Sequence, residues 1–479
     1  MFSKFFLIAA ILLLGPASLF ASADGGHGVH LDGAHVSLLW CIPFAGILLS
    51  IALMPLVVPH FWHHNYGKVS IFWGGLFFAS FLIGFGPSVS FFYLAEVYLG
   101  EFIPFIVMLL ALFTVSGGVR ITGSLVGTPR FNTTILLIGT ILASWMGTTG
   151  AAMLLIRPLI RANRWRHKKV HIVVFFIFLV ANIGGSLTPL GDPPLFLGFL
   201  KGVSFFWPME AMWKPMLVAS SILLVVFFIV DTILFKKETM PTSNEDAIAI
   251  GIDGKVNLLL LPLIIGAVVL SGVWKSDLTN PADVAITLFD TPMMTWGILV
   301  QIILLLIITG VSIALTPDEA RKGNDFTWEP ILEVGKLFAT IFITMVPAIA
   351  ILKAGTSGAL EPIISLVTDS DGNAVNSMYF WCTGMLSSFL DNAPTYVVFF
   401  NTAGGDAASL MTEQFTTLLA ISAGAVFMGA NTYIGNAPNF MVKSIAEEND
   451  IAMPSFFGYM IWSFGILIPL FVIISLIFF

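Results

Sequence analysis

Long apolar runs, separated by short polar stretches, make up most of this 479-residue chain. Uninterrupted runs near the roughly 20 residues that a helix needs to cross a bilayer occur repeatedly. They lie near 37–58, 70–90, 101–118, 213–235, 257–273, 292–314, 333–353 and 456–479. The alternating strands of roughly ten residues that build membrane barrels are not seen in the sequence. This pattern predicts an all-α polytopic membrane protein.

Other apolar runs are interrupted by polar residues, glycine or proline. The runs 132–160 and 378–403 each carry a polar tip, whereas 170–200 and 416–440 are broken by glycine and proline. A polar tip in mid-run predicts a re-entrant hairpin, and glycine or proline within a span predicts a broken helix. We therefore expect about ten spans and two hairpins after an N-terminal signal or anchor.

Basic residues indicate how the chain is oriented. The stretch RPLIRANRWRHKK (157–169) is the strongest basic loop, and such loops stay in the cytoplasm. Two arginines precede 132–160, so both ends of that hairpin should face the cytoplasm. The segments that flank 378–403 contain no Lys or Arg. The first hairpin is therefore predicted to enter from the cytoplasm and the second from outside.

A constant offset relates the two halves of the chain. Gly147 falls on Asp391, since 391 − 147 = 244, and the same shift carries 132–235 onto 376–479. It also superimposes Ser144 on Ser388, Gly185 on Gly429, Gly191 on Gly435, Pro194 on Pro438 and Phe196 on Phe440. Because the two hairpins have opposite predicted orientations, the sequence predicts inverted-topology repeats, which are typical of secondary transporters.

This repeat defines the predicted organisation of the chain. Lys4, a short apolar run and Ala21-Ser22-Ala23 form the pattern of a secretory signal, which is either cleaved or kept as an anchor. A small hairpin is expected at Asp253-Gly254. The predicted parts are a signal peptide or anchor at 1–23, an extracytoplasmic leader at 24–36, repeat 1 at 37–235 (scaffold 37–118, transport region 132–235), a cytoplasmic linker at 236–256, and repeat 2 at 257–479 (scaffold 257–353, transport region 376–479).

Composition agrees with a membrane protein and excludes several other classes. Hydrophobic residues make up 57% of the chain and charged residues only 10%, against roughly 25% charged in soluble proteins. A net charge of −7 argues against a nucleic-acid partner. Cys41 and Cys382 both lie in apolar runs, so neither a disulfide framework nor a cofactor is predicted.

Oxygen-bearing side chains gather at the hairpin tips and helix breaks. The candidate site residues are Asp391, Asn392 and Thr395; Thr148 and Thr149; Asn182, Ser186, Thr188 and Asp192; Asn431, Thr432 and Asn436; with backbone carbonyls near Gly185 and Gly429. Hard cations prefer oxygen ligands, and an intramembrane carboxylate is by default a functional hypothesis. We predict that Asp391 and Asp192 share one sodium site. For the threonines and asparagines, a role in satisfying freed backbone groups remains an open alternative.

The motifs GGSLTPLGDPP (184–194) and LDNAPT (390–395), on paired hairpins and broken helices, resemble those of the ion transporter superfamily. Its members include NhaD-type sodium/proton antiporters and citrate or dicarboxylate symporters. Dicarboxylate members carry Ser-Asn-Thr at each tip, whereas this chain has Gly147-Thr148-Thr149 and Asp391-Asn392-Ala393. An aspartate there would repel a carboxylate substrate, which favours the NhaD type. The resemblance further implies a homodimer with fixed scaffold helices and a moving transport block.

The predicted function is antiport of sodium, or another monovalent cation, against protons by alternating access. The nearest alternative is a sodium-coupled citrate or dicarboxylate symporter on the same fold, and a metalloid exporter is a third choice. An intramembrane aspartyl protease would need Gly-x-Gly-Asp, but Pro189-Leu190-Gly191 precedes Asp192. We therefore expect a transporter rather than an enzyme, embedded as a multi-pass protein in the lipid of a bacterial inner membrane.

Overall fold

The structure is a computed structural model that describes residues 31–123, 125–239, 251–274 and 278–479. Within these ranges the chain is helical apart from four short strands. The predicted signal segment at 1–23, most of the leader and part of the linker lie outside the described residues.

Several helices in the described part of the chain are long and apolar enough to cross a membrane. There are six by length and composition: Leu38–Val57, Pro59–Ser116, Trp207–Phe235, Val256–Val273, Trp296–Leu315 and Phe456–Phe478. The number rises to seven if Glu329–Thr344 and Val346–Lys353, bent by 42°, form one span. A helical multi-pass membrane protein is therefore confirmed, while the number of spans stays a prediction.

The first helices build the predicted first scaffold. They are α1 (Ile42–Val57), α2 (Pro59–Val97) and α3 (Ile103–Ser116). Gly86, at φ +81° and followed by Pro87, kinks α2, since this backbone conformation suits glycine. A π-helical turn, Tyr98–Phe102, then joins α2 to α3. This single helical run covers two of the predicted spans.

The predicted first transport region consists of paired and broken helices. Its elements are α4 (Pro129–Met146), α5 (Thr148–Ala162), α6 (Val170–Leu179), a 3-10 turn (Ile183–Ser186), α7 (Pro193–Leu200) and α8 (Trp207–Phe235). The helices α4 and α5 meet at the predicted tip, and the chain is broken between α6 and α7 as expected.

The second half contains a similar series of helices. In the predicted second scaffold these are α9 (Val256–Val273), α10 (Trp296–Leu315), α11 (Asp318–Gly323), α12 (Glu329–Thr344), α13 (Val346–Lys353) and α14 (Glu361–Val367). The remaining elements are α15 (Asn376–Phe389), α16 (Asn392–Thr402), α17 (Ala407–Met411), α18 (Phe415–Met428), a 3-10 turn (Gly429–Asn431), α19 (Ala437–Glu448) and α20 (Phe456–Phe478).

The short strands correct one expectation. The strand β1 (Arg120–Thr122) pairs antiparallel with β2 (Gly251–Asp253), so the hairpin expected at Asp253-Gly254 is wrong. Asn257 Nδ2 donates to Gly118 O at 3.0 Å, which brings the start of α9 against the end of α3. The strand β2 therefore pairs with β1 from the first half of the chain and not with an adjacent segment. The other two strands, β3 (Val284–Leu288) and β4 (Thr291–Thr295), pair with each other.

The innermost helices of the two predicted transport regions are buried on every side. Every residue from His171 to Leu179 in α6 is buried, as is every residue from Thr417 to Met428 in α18. The long spanning helices, in contrast, keep many large apolar side chains exposed, as a lipid-facing surface requires. The two helix breaks therefore lie deep inside the protein.

Loops that were predicted to be cytoplasmic contact one another. Arg157 Nε forms an ion pair with Asp325 at 3.1 Å, and Arg161 Nη2 donates to Ile121 O at 2.6 Å. Glu238, just after α8, accepts hydrogen bonds from the backbone amides of Lys168 and His167. Burial raises the pKa of Glu238, but these amides and the His167 ring outweigh it and lower the pKa to about 2. These contacts agree with the predicted orientation, which stays a prediction.

A buried ionic network joins four elements near those loops. Asp231, at the end of α8, accepts from Arg166 Nη2 at 2.5 Å, from His171 Nε2 at 2.8 Å and from Asn132 Nδ2 at 2.9 Å. The side chains of Arg166 and Asp231 are both 0% exposed. The network ties the foot of the first hairpin to α6, to α8 and to the basic loop.

We expect Asp231→Asn to destabilise the protein strongly. The substitution leaves the Arg166 guanidinium buried without a counter-charge, and breaking such a pair costs about 3–5 kcal/mol. The thermal unfolding midpoint of the purified protein in detergent measures the effect. The matched control is Glu319→Gln, because Glu319 is exposed on α11 and should tolerate the change. Equal midpoints for the two variants would contradict a stabilising role for the network.

Candidate functional site

Asp192 lies where the hairpin tips and the helix breaks meet, and it is 1% exposed. Asn392 Nδ2 donates to its Oδ2 at 2.6 Å. Asn436 Nδ2 and Thr148 Oγ1 both donate to its Oδ1, at 3.1 and 3.2 Å. The donors come from the second tip, the second break and the first tip. Residues far apart in the sequence therefore converge on this one carboxylate.

Four helices begin at this point. Their N-cap residues are Gly147 for α5, Asp192 for α7, Asp391 for α16 and Asn436 for α19. The N-terminal end of a helix carries a partial positive charge, which stabilises nearby anions. Gly147 has φ +79°, a conformation that glycine adopts readily, and this lets α4 turn directly into α5. These helix ends offset the negative charge of Asp192 and Asp391.

Glycine allows each break to fold back on itself. A Cβ atom on Gly191 would lie 2.1 Å from Gly185 O, and one on Gly435 would lie 2.5 Å from Gly429 O. Real Cβ atoms do not approach backbone atoms so closely. The carbonyls of the predicted positions Gly185 and Gly429 thus lie against Gly191 and Gly435. These contacts bring Asp192, which follows Gly191, and Asn436, which follows Gly435, to the site.

A threonine anchors each break to the neighbouring hairpin. Thr188 Oγ1 donates a short hydrogen bond to Ser144 O, and Thr432 Oγ1 donates an equivalent one to Ser388 O. The amide two residues further on donates to each threonine hydroxyl at 3.2 Å. The same bonds therefore recur at the 244-residue offset. The hydroxyls of both threonines satisfy backbone groups, the open alternative of the sequence analysis.

A pair of amides joins the two breaks. Asn182 Nδ2 donates to Asn439 Oδ1 at 2.7 Å, and Asn439 Nδ2 donates to Gly429 O and Thr432 O at 2.8 and 2.9 Å. Asn436 Nδ2 also reaches Asn182 Oδ1 at 3.3 Å. The breaks are thus bonded to each other as well as to their own hairpins. Asn439 lies in the same polar stretch of sequence as Asn436, and its side chain satisfies two backbone carbonyls at the second break.

Unpaired oxygen atoms lie on the side of the second hairpin. Asn392 Oδ1 and Asn431 Oδ1 are buried and have no hydrogen-bond partner among the described residues. Asn431 is fixed by its Nδ2, which donates to Ser388 Oγ at 2.9 Å. Asp391 is half-buried, and its Oδ1 accepts from the Ala393 amide at 3.1 Å. This side therefore offers acceptor oxygens that internal contacts do not saturate.

The remaining predicted residues make local contacts. Ser186 Oγ donates to Ile183 O at 2.8 Å, and Thr395 Oγ1 donates to Asp391 O at 3.0 Å. Thr149 is half-buried, and its hydroxyl forms no hydrogen bond within the described part of the chain. Ser186 and Thr395 therefore support the backbone around the acids, and Thr149 lies beside the tip.

Basic side chains do not enter the cluster. Among the lysines and arginines of the described ranges, only Arg166 is fully buried, and it pairs with Asp231. The candidate set omitted Asp231. It is an acid inside an apolar run, the same signal that pointed to Asp391, and that signal could have found it. The central cluster thus contains two acids, several amides and hydroxyls, and four helix N-termini.

Comparison with known families agrees with this architecture. A protein-family model described as "Putative citrate transport" matches residues 33–479, which include both predicted repeats. No curated protein matches the chain. Together with the membrane-spanning helices, the family match points to a transporter rather than an enzyme.

We expect Gly191→Ala to open the first break. The new Cβ atom would meet the Gly185 carbonyl at 2.1 Å, and a backbone atom cannot move aside as a flexible side chain could. Overpacking of this kind costs about 1–3 kcal/mol, so the thermal unfolding midpoint should fall. The matched control is Gly465→Ala in α20, where nothing lies within 4 Å. That change should be neutral or slightly stabilising. Equal stability of both variants would contradict the close backbone contact.

Proposed function

The chain belongs to this citrate transport family, and we propose that it is a secondary active transporter. In this proposal it exchanges sodium, or another monovalent cation, for protons. Its proposed setting is a bacterial inner membrane, as a homodimer. The observation that carries the proposal is a central cluster of one buried acid, one half-buried acid and unpaired amide oxygens, without a lysine or arginine. Such a cluster attracts a cation and repels an anion.

The unpaired oxygens support a cation as the ligand. A buried acceptor without a partner costs about 1–3 kcal/mol, so natural proteins rarely keep one without a reason. Asn392 Oδ1, Asn431 Oδ1 and the Asp391 carboxylate supply the neutral and charged oxygens that hard cations bind. A bound sodium ion would compensate all three groups at once.

Proton coupling follows from competition. A carboxylate can hold a proton or a metal cation, but the two share the same lone pairs and the same charge. In the proposed mechanism, the site formed around Asp391 and Asp192 crosses the membrane loaded with one or the other. Transport of sodium in one direction is then tied to transport of protons in the other.

Alternating access is supported by the internal repeat. The hydrogen bonds from Thr188 and Thr432 recur at the 244-residue offset, and so do the helix starts at the site. We propose that the two halves are inverted repeats whose transport regions, 132–235 and 376–479, move against the scaffolds at 37–118 and 257–353. Binding sites at the interface of such repeats are a general feature of these transporters.

A second candidate function is sodium-coupled uptake of citrate or a dicarboxylate, which the family match favours. Citrate would bring further negative charge to a cluster that already contains Asp192 and Asp391. Since no lysine or arginine of the described residues enters the cluster, bound cations would have to bridge the protein and the substrate. The two candidates therefore differ in whether a carboxylate travels with the ion.

Transport assays in everted vesicles separate these functions. The protein is produced in bacterial cells that lack their own antiporters, and respiration acidifies the vesicle interior. Sodium should then raise the interior pH, and the apparent KM for sodium should increase as the external pH falls, because protons compete for the site. Uptake of citrate and succinate is measured alongside. Sodium-dependent citrate uptake without a proton response would favour the symporter.

We expect Asp391→Asn to abolish sodium-driven proton release. The amide keeps the shape of the side chain but can neither bind a proton nor neutralise the ion. The matched control is Asp406→Asn, because Asp406 also caps a helix, accepting from the amides of Ala408 and Ser409, but is exposed outside the cluster. The control should keep full exchange. Wild-type exchange in Asp391→Asn would make us abandon the assignment of the site.

A further inference from the structure

The two acids of the cluster have very different surroundings. Asp192 accepts three hydrogen bonds, from Asn392, Asn436 and Thr148, and both of its oxygens are occupied. These donors fill three of the roughly four acceptor positions of an ionised carboxylate, and the N–H groups of an amide can only donate. Asp391 is half-buried, and within the described part of the chain its carboxylate accepts a hydrogen bond only from the Ala393 amide.

The 244-residue offset places unlike residues at matching positions. Thr148 matches Asn392, and Gly147 matches Asp391. Leu187 occupies the position that corresponds to Asn431. Both buried amide oxygens that lack a partner in this cluster, among the described residues, therefore belong to the second hairpin or the second break. The first half has neither an acid at its tip nor an amide at the position of Asn431.

We propose that Asp192 is a positioning residue, and that Asp391 alone exchanges the cation for a proton. This inference rests on the proposed function and assigns its two acids to separate tasks. Asp192 holds the Nδ2 atoms of Asn392 and Asn436, so that Asn392 Oδ1 faces away from it. The free Asn392 oxygen, Asn431 Oδ1 and the Asp391 carboxylate then form a single site for one monovalent cation.

The geometry of an amide explains why a positioning acid is needed. An amide side chain presents an oxygen on one edge and an NH2 group on the other, and a half-turn exchanges them. Turned the wrong way, Asn392 would point its NH2 group at the ion. The carboxylate of Asp192 can only accept hydrogen bonds, so it stabilises the Asn392 orientation in which the NH2 group faces it. A cation at Asp192 would find only one of roughly four acceptor positions free, on Oδ2, whereas the Asp391 carboxylate is far less occupied.

Asp192→Asn separates positioning from ion exchange. The variant keeps the shape but has one acceptor oxygen in place of two, so one of the amides loses its fixed orientation. We expect the apparent KM for sodium to rise on the order of tenfold, the loss expected for one hydrogen bond to a charged group. Its dependence on pH should keep the wild-type slope, since the titrating acid is still present. An Asp192→Asn variant with an unchanged KM, or with a KM that no longer varies with pH, overturns the inference.

A double-mutant cycle tests whether Asp192 acts through its partner. Asn392→Ala should also raise the KM while keeping the pH slope, and adding Asp192→Asn should then have little further effect. Additive changes would contradict positioning. If Asp192→Asn does not fold, Asn392→Ala carries the test, because an unchanged KM there removes the proposed ligand.

Sodium binding provides a readout that does not depend on transport. Sodium should raise the thermal unfolding midpoint of the purified wild type, by mass action on the folded state. Asp192→Asn should keep this response at higher sodium concentrations, and Asp391→Asn should lose it. Wild type that binds sodium but exchanges no protons would refute the proposed function alone. Loss of the response in Asp192→Asn together with its retention in Asp391→Asn would refute the assignment of the two acids.

Discussion

A membrane interior offers no water to a backbone group that has left its helix, and this constraint shapes the centre of the protein. Two helices are broken there, and the freed groups must find partners inside the fold. Ser144, Thr188, Thr432 and Asn439 supply these partners. Many polar side chains at the centre therefore stabilise the broken helices. Only the polar atoms that make no such bond, such as the unpaired amide oxygens, are free to contact a ligand.

Charge at the centre is balanced without basic side chains. Four helices point their N-termini at the cluster, and the partial charges of these ends stabilise Asp192 where a lysine or arginine could have done so. A fixed cation would occupy the place of a mobile one. Helix ends stabilise an anion without a fixed basic side chain, which the proposed exchange of a cation at this cluster requires. The buried pair of Arg166 and Asp231 shows the contrasting arrangement, in which a basic side chain neutralises a buried acid permanently.

The sequence predicted the parts of this arrangement better than their contacts. Apolar runs and breaks by glycine and proline are local signals, and both hairpins and both broken helices follow them. Contacts across the fold leave no local signal. The three donors that meet Asp192 lie 44, 200 and 244 residues away, and β2 pairs with a strand from a different part of the chain. Asp231 could be recognised in the sequence as an acid in an apolar run, but its hydrogen-bond partners could not be predicted.

The hydrogen bond between Asn436 and Asp192 joins two positions that are related by the offset itself, since 436 − 192 = 244. Where equivalent positions of two related halves touch, identical residues would have to complement themselves. Two aspartates there would repel each other unless they shared a proton. Here one half contributes the acceptor and the other the donor. In the proposed repeat, these equivalent positions are therefore complementary and not identical, so neither half could rebuild this contact by pairing with a second copy of itself.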